Sequence, residues 1–305
     1  MSLALLFPGQ GVQHPEMLRW IDEHPLARPV LDQMAQRIGM DWRAQLHHPD
    51  WSSRNGVAQC LLTGVLLASW QALAPLLPEP ALVAGYSVGE IAAFGAAGVF
   101  DASEAIELAA RRAQAMDASA AVDNGGLISA TGVSASRIAE ICARMGLAVA
   151  IHLGPDRWVL GGALADLQCA QAELWASGAE SVTLRVSVAS HTPQMQPAAE
   201  AFEALVEPMC WRTARAVVVT NVDGAGERRP QALKLALARQ ISRTVQWHRS
   251  METIAERMPR CVLEVGPGTT LSRMWATRHP DIPTRSADEF HSAEAVAVWV
   301  RKMLA

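Results

Sequence analysis

Ala81-Leu82-Val83-Ala84-Gly85-Tyr86-Ser87-Val88-Gly89-Glu90, running on into Ile91-Ala92-Ala93-Phe94-Gly95-Ala96-Ala97, is the stretch on which the fold turns. Apolar Ala81–Ala84 predicts a short buried strand, and Glu90–Ala97 carries a helical pattern. A serine between two glycines, set between strand and helix, has the layout of a nucleophile elbow. The serine of such a turn is strained, and a side chain at Gly85 or Gly89 would crowd the neighbouring strand and helix. Ser87 is thereby placed at a helix N-terminus, where main-chain N–H groups and the helix dipole favour developing negative charge. The GxSxG string alone arises by chance in roughly one chain of this length in ten, so the flanking strand and helix carry the weight. The competing reading is a small-residue turn that only packs a helix onto a sheet.

Outward from the elbow, short β-type runs alternate with longer helical patterns. The runs are Leu3–Phe7, Leu82–Ala84, Leu127–Ala130, Val149–His152, Trp158–Leu160, Val182–Val188, Val217–Thr220 and Val262–Val265. Helical spacing covers Val57–Leu76, Ala102–Met116, Leu164–Ala176, Met195–Val206 and Ala232–Ile241. Such alternation predicts an α/β protein with a mostly parallel sheet. From Gly125 to Ala189 the order changes to strand, helix, two strands joined through Gly154-Pro155-Asp156, helix, strand. That is the order of a ferredoxin-like unit. The expected organisation is a catalytic domain from 1–124 and 190–305 with a small subdomain, 125–189, inserted after the turn Asp123-Asn124-Gly125-Gly126.

Half of the 305 residues are hydrophobic and 18% are charged, enough to bury a large core. The net charge of −4, from 26 basic and 30 acidic residues without a long run of either sign, argues against nucleic acid as a partner. Only Lys234 and Lys302 are lysines, which leaves almost no candidate for Schiff-base or P-loop chemistry. Five scattered cysteines without a CxxC form neither a disulfide framework nor a zinc site, and a reducing cytoplasm is the expected compartment. Neither a secretory signal at Met1–Gly11 nor an uninterrupted apolar membrane span of about 18 residues is read in the chain.

A serine nucleophile needs a base. His24 and His279 precede prolines and His291 lies near the C-terminus, positions that suit solvated side chains. His191 differs: it closes the Val182–Val188 run and is followed by Thr192-Pro193, which starts a helix. The end of a strand is where α/β folds set working side chains. Near the N-terminus, Phe7-Pro8-Gly9-Gln10-Gly11-Val12-Gln13 follows the first strand, and its glycines leave the Gln10 N–H open to close approach, as an oxyanion donor requires. The third glycine of a dinucleotide fingerprint is missing, since His14 stands there.

The strings FPGQGVQ (7–13), AQCLLTG (58–64), GYSVGE (85–90), RRAQAM (111–116), VASH (188–191), NVDG (221–224), RQISRTVQW (239–247) and EVGPG (264–268) span almost the whole chain. In this order they resemble the malonyl-CoA:acyl-carrier-protein transacylases, a family that includes fatty-acid-synthesis enzymes, polyketide acyltransferase domains and the epsilon subunit of malonate decarboxylase. The resemblance implies an α/β-hydrolase-like large domain with a ferredoxin-like small one. It implies Ser87 as nucleophile, His191 as base, and the N–H groups of Gln10 and Val88 as oxyanion donors. It further implies Arg112 for the malonyl carboxylate, with Arg111 as rival, Gln240 as the residue whose main-chain carbonyl orients the histidine, and Gln59 in the pocket. An arginine fork suits a carboxylate, and the hydrogen-bonded pair is worth about 1.5–3 kcal/mol.

Three departures stand out: Tyr86 replaces the histidine usual before the serine, VASH differs slightly from the common form, and His14-Pro15-Glu16-Met17-Leu18 follows FPGQGVQ. They turn the expectation toward the malonate decarboxylase subunit. The implied reaction passes malonyl from malonyl-CoA to a carrier-protein thiol with neither organic cofactor nor metal, CoA being part of the substrate. The implied partners are the carrier protein and other decarboxylase subunits, with Arg243 and Arg249 as candidate docking contacts. A plain serine hydrolase, with an Asp or Glu as third member, and an inactive docking subunit are the alternatives.

Overall fold

The computed structural model describes residues 2–120, 124–186 and 188–305; Asp123 of the expected turn and Ser187 of the Val182–Val188 run lie outside the described residues. In chain order the strands are β1 Leu3–Phe7, β2 Leu82–Gly85, β3 Gly125–Thr131, β4 Ala148–Gly154, β5 Arg157–Ala163, β6 Glu180–Thr183, β7 Val217–Val219, β8 Gly226–Glu227, β9 Cys261–Glu264 and β10 Thr284–Ser286. Six of them form a sheet in the order β10-β9-β1-β2-β7-β8, parallel throughout except for β7 with β8. The other four form a separate antiparallel sheet, β4-β5-β3-β6. The fold class is therefore the expected one, mixed α/β with a mostly parallel main sheet and a small antiparallel one.

Side-chain alternation along β1 explains why both faces of the main sheet are covered. Leu3, Leu5 and Phe7 enter one core, together with Leu61, Leu62, Val65, Leu66 and further apolar side chains of the helix Asn55–Leu73. Ala4 and Leu6 enter a second core that joins Trp247 and Trp275 to Leu127 and Ile151 of the small sheet. The helix Asn55–Leu73 is apolar on all sides because helices pack on all sides of it: Arg28–Ile38, Gly89–Ala96, Ala102–Ala120 and Ala293–Leu304. Its length and composition would also suit a membrane, yet it lies inside the protein. The small sheet carries the helices Ala135–Met145 and Leu164–Ala176 over a third core built from Ile128, Ile138, Ile141, Leu160, Leu167 and Leu174.

Three local expectations are corrected. The Val182–Val188 strand stops at Thr183, because the chain leaves the small sheet with a tight turn from Val186 N–H to Leu184 C=O. His279 is not a solvated side chain; it is 16% exposed and lies 3.5 Å from Glu252. The helices Arg28–Ile38, Trp247–Ala255, Thr270–Arg278 and Ala293–Leu304, and strands β8 and β10, have no counterpart among the expected elements. These helices bury only one stripe, which dilutes their apolar signal, and two- and three-residue strands are too short to show alternation.

Candidate active site

β1 and β2 pair with Phe7 opposite Gly85, so the loops leaving their C-terminal ends start side by side. Tyr86 N–H donates to Phe7 C=O at 2.8 Å. Glycines make this approach possible. A Cβ on Gly9 would come within 2.6 Å of the Tyr86 carbonyl oxygen, on Gly85 within 2.1 Å of Gly89 main chain, and on Gly89 within 2.2 Å of the Phe7 carbonyl oxygen. Ser87 takes a φ of 53°, a left-handed conformation that costs a non-glycine residue about 1–3 kcal/mol. The helix Gly89–Ala96 begins two residues later. The N–H groups of Gln10 and Val88 find no acceptor among the described residues.

His191 reaches Ser87 from the segment after β6, with a φ of 63°. Its N–H donates to Ile241 C=O at 2.8 Å. Its ring Nδ1 bonds to the main-chain carbonyl of Gln240, and its Nε2 lies 2.8 Å from Ser87 Oγ. A carbonyl only accepts, so Nδ1 carries the proton and Nε2 is left to accept from the serine hydroxyl. Among the described residues no side-chain carboxylate takes the third position, which the Gln240 carbonyl fills. Burial first, then the nearby charge of Arg112, lowers His191 to about 3 against the opposing bond to Gln240, so the imidazole is neutral at pH 7.

Arg112 lies on the helix Ala102–Ala120 and is 1% exposed. Its Nη1 donates to Gln59 Oε1 at 2.7 Å and its Nη2 to Gln240 Oε1 at 2.9 Å. Its Nε has no partner among the described residues. Burial brings it down to about 10, opposed by the charge of Glu90, and it remains a cation at neutral pH. Arg111 faces solvent and pairs with Glu107 at 2.8 Å, which removes it from the site.

Three further side chains complete the cluster, none of them singled out in the sequence. Asn55 Oδ1 accepts from Gln59 Nε2 at 2.7 Å and from Gln10 Nε2 at 3.2 Å. Asn221 Oδ1 accepts from Ser87 N–H at 2.9 Å, and its main-chain N–H donates to Glu90 Oε1 at 2.7 Å. Glu90 Oε2 accepts from Gln240 Nε2 at 3.0 Å, and the same amide donates to Ser87 C=O at 3.0 Å. Burial pushes Glu90 up to about 7, against its bonds to Asn221 and Gln240 and the charge of Arg112. The available signal was a lone acid in an otherwise apolar helix and the asparagine of NVDG.

Tyr86 is packed edge-on against Trp247, ring centroids 5.2 Å apart, and its hydroxyl is shifted upward by burial. Cys60, next to Gln59 in the chain, is buried and pushed up to about 11, which keeps it a thiol. His191 opens on a cleft of about 420 Å³ shared with Val149, Asp223, Arg243 and Gln246; Arg249 does not line it. A second cleft of about 260 Å³ lies beside Gln10, Gln13, His14 and Arg185.

A hydroxyl on a strained turn, a neutral imidazole in contact with it, two unengaged N–H groups and a buried cation form an acyl-transfer geometry. The comparisons with known proteins agree. Residues 5–303 match the family described as acyl transferase domain. A malonyl CoA-acyl carrier protein transacylase of Haemophilus influenzae is 30% identical over 97% of this chain and 98% of that protein. A Coxiella burnetii malonyl CoA-acyl carrier protein transacylase superposes with a TM-score of 0.91 at 25% identity, covering 99% of this chain and 98% of that one. A malonyl-transacylase in complex with its type II polyketide synthase acyl-carrier protein superposes at 0.88 with 26% identity, covering 94% and 96%. Motifs, fold and site thus converge, and the chain belongs to the acyl transferase family, among the malonyl-CoA:acyl-carrier-protein transacylases.

Proposed function

We propose that the protein moves a malonyl group from malonyl-CoA to the thiol of an acyl carrier protein through an ester on Ser87. Ser87 Oγ attacks the thioester carbonyl while His191 Nε2 takes its proton. The tetrahedral oxyanion is held by Gln10 N–H and Val88 N–H. The C–S bond then breaks and the CoA sulfur leaves with the proton from His191. The carrier thiol repeats the sequence in reverse: His191 deprotonates it, the sulfur attacks the ester, and Ser87 regains its proton. The Gln240 carbonyl keeps the other imidazole proton on Nδ1, so Nε2 is the nitrogen that takes up and returns the proton in both half-reactions. Arg112 and Gln59 receive the free carboxylate of the acyl group. The observation that carries this reading is the 2.8 Å contact of Ser87 Oγ with His191 Nε2, next to a buried guanidinium.

The finer assignment is the transacylase subunit of malonate decarboxylase, supported by the departures at Tyr86 and His14–Leu18, with the other decarboxylase subunits as partners. Fatty-acid or polyketide synthesis is the alternative setting. Arg243, on the cleft that His191 opens to, supports carrier docking on that side. The two separate sheets and their cores support the division into 1–124 with 190–305 and 125–189. Intact-mass measurement after mixing with malonyl-CoA tests the chemistry. Wild type is expected to gain one malonyl adduct that a carrier protein removes, and Ser87→Ala none. An adduct on Ser87→Ala, or rapid release of free malonate without carrier, would overturn the reading.

A further inference from the structure

Glu90 is a fully buried acid that the transfer steps do not use. The helix Gly89–Ala96 that carries it packs against β1, β2 and the helices Asn55–Leu73 and Ala102–Ala120. The first three bring no charged residue, and the fourth brings Arg112 as its one buried charge. The segments after β7 and after the helix Pro230–Arg239 present Asn221 and Gln240, both as neutral donors. Each oxygen of Glu90 therefore faces a donor, a pair of bonds that a carboxylate accepts with no proton of its own to place.

The Gln240 amide has no alternative orientation. The Arg112 Nη2 that meets its Oε1 only donates, while the Ser87 carbonyl and the Glu90 carboxylate that meet its Nε2 only accept. Glu90 is thus one of two acceptors that lock the amide, and the amide is one of two groups that aim Arg112. A proton on Glu90, or an amide in its place, sets a hydrogen against Asn221 N–H or against the Gln240 amide.

Resting on the malonyl-transfer reading, we propose that Glu90 is a positioning residue. As a carboxylate it fixes the Gln240 amide so that Arg112 points into the acyl pocket, and in this way it sets the preference for a carboxylated acyl group over a neutral one. The pH dependence follows. Burial raises Glu90 to about 7 while His191 lies at about 3, so near neutral pH Glu90 changes charge and the base does not. As pH falls through 7, Glu90 takes up a proton, the amide loses an acceptor and Arg112 loses its aim. Acetyl transfer, which has no carboxylate to hold, does not follow this titration.

The test is single-turnover acylation of the full chain by malonyl-CoA and by acetyl-CoA from about pH 5.5 to 8.5. Their ratio cancels titrations that the two donors share. For wild type the malonyl-to-acetyl ratio is expected to fall about tenfold toward the acid end, the size of one hydrogen bond to a charged group. Glu90→Gln and Gln240→Ala, the latter keeping the carbonyl that His191 uses, are expected to show the low ratio at every pH. Combining them is expected to cost no more than either alone. A wild-type ratio flat in pH, or a Glu90→Gln ratio equal to wild type, overturns the proposal. Should Glu90→Gln not fold, the wild-type series decides alone. Absence of any malonyl adduct on wild type would instead sink the transfer reading itself.

Discussion

Ser87 and His191 touch through their side chains while both hold positive φ, 53° and 63°. Each conformation is over-determined by neighbours: the close strand and helix force the serine, and the bonds from His191 N–H to Ile241 and from Nδ1 to Gln240 hold the histidine. Strain of this kind is stabilising for nothing except the site. Ser87→Gly is expected to raise the free energy of unfolding by about 1 kcal/mol, the relief at positive φ less the added flexibility of glycine, while abolishing acyl transfer. Denaturant unfolding with an activity assay reads both; a less stable glycine variant would contradict the strain account. At this scale the sequence put forward Ser87 and His191, and the family resemblance favoured Arg112 over Arg111, while residue spacing alone left the two arginines equal. Adjacent helix positions point about 100° apart, and only packing shows that Arg112 turns inward and Arg111 outward.

At the scale of elements, the elbow depends on glycines that are close to main chain, which cannot yield as a flexible side chain can. Gly89→Ala would set a Cβ 2.2 Å from the Phe7 carbonyl oxygen. Moving β1 away from the helix Gly89–Ala96 would shift the Gln10 loop as well. The expected outcome is about 1–3 kcal/mol of lost stability together with reduced transfer, measured by denaturant unfolding and single-turnover acylation. An alanine variant of wild-type stability would show that the contact relaxes elsewhere. The elbow was readable because strand, turn and helix are contiguous. The reach from β6 to His191 was not, because the departure from the small sheet depends on main-chain bonds to Leu127 and within the segment itself.

Across the molecule, the two sheets meet at a shared core in which Leu6 and Val262 pack with Leu127, Ile151 and Trp247. The small sheet has its own core as well, and its edge strand β6 leaves Val182 62% exposed. Hydrogen exchange under native conditions is expected to open β3–β6 at a lower free energy than β1, β2 and β9, which are covered on both faces. Equal protection in both sheets would mean that they unfold as one unit.

What the sequence determined by itself was the alternation of strands and helices, the ferredoxin-like order, and the elbow with its serine. These rest on short-range periodicity and on glycine sterics, which contiguous residues encode. The tertiary structure alone decided the buried chain Asn55–Gln59–Arg112–Gln240–Glu90–Asn221, the neutrality of His191 and the weakened acidity of Glu90. Its members come from separate segments, and both hydrogen-bond polarity and the cost of burying charge exist only once those segments have packed.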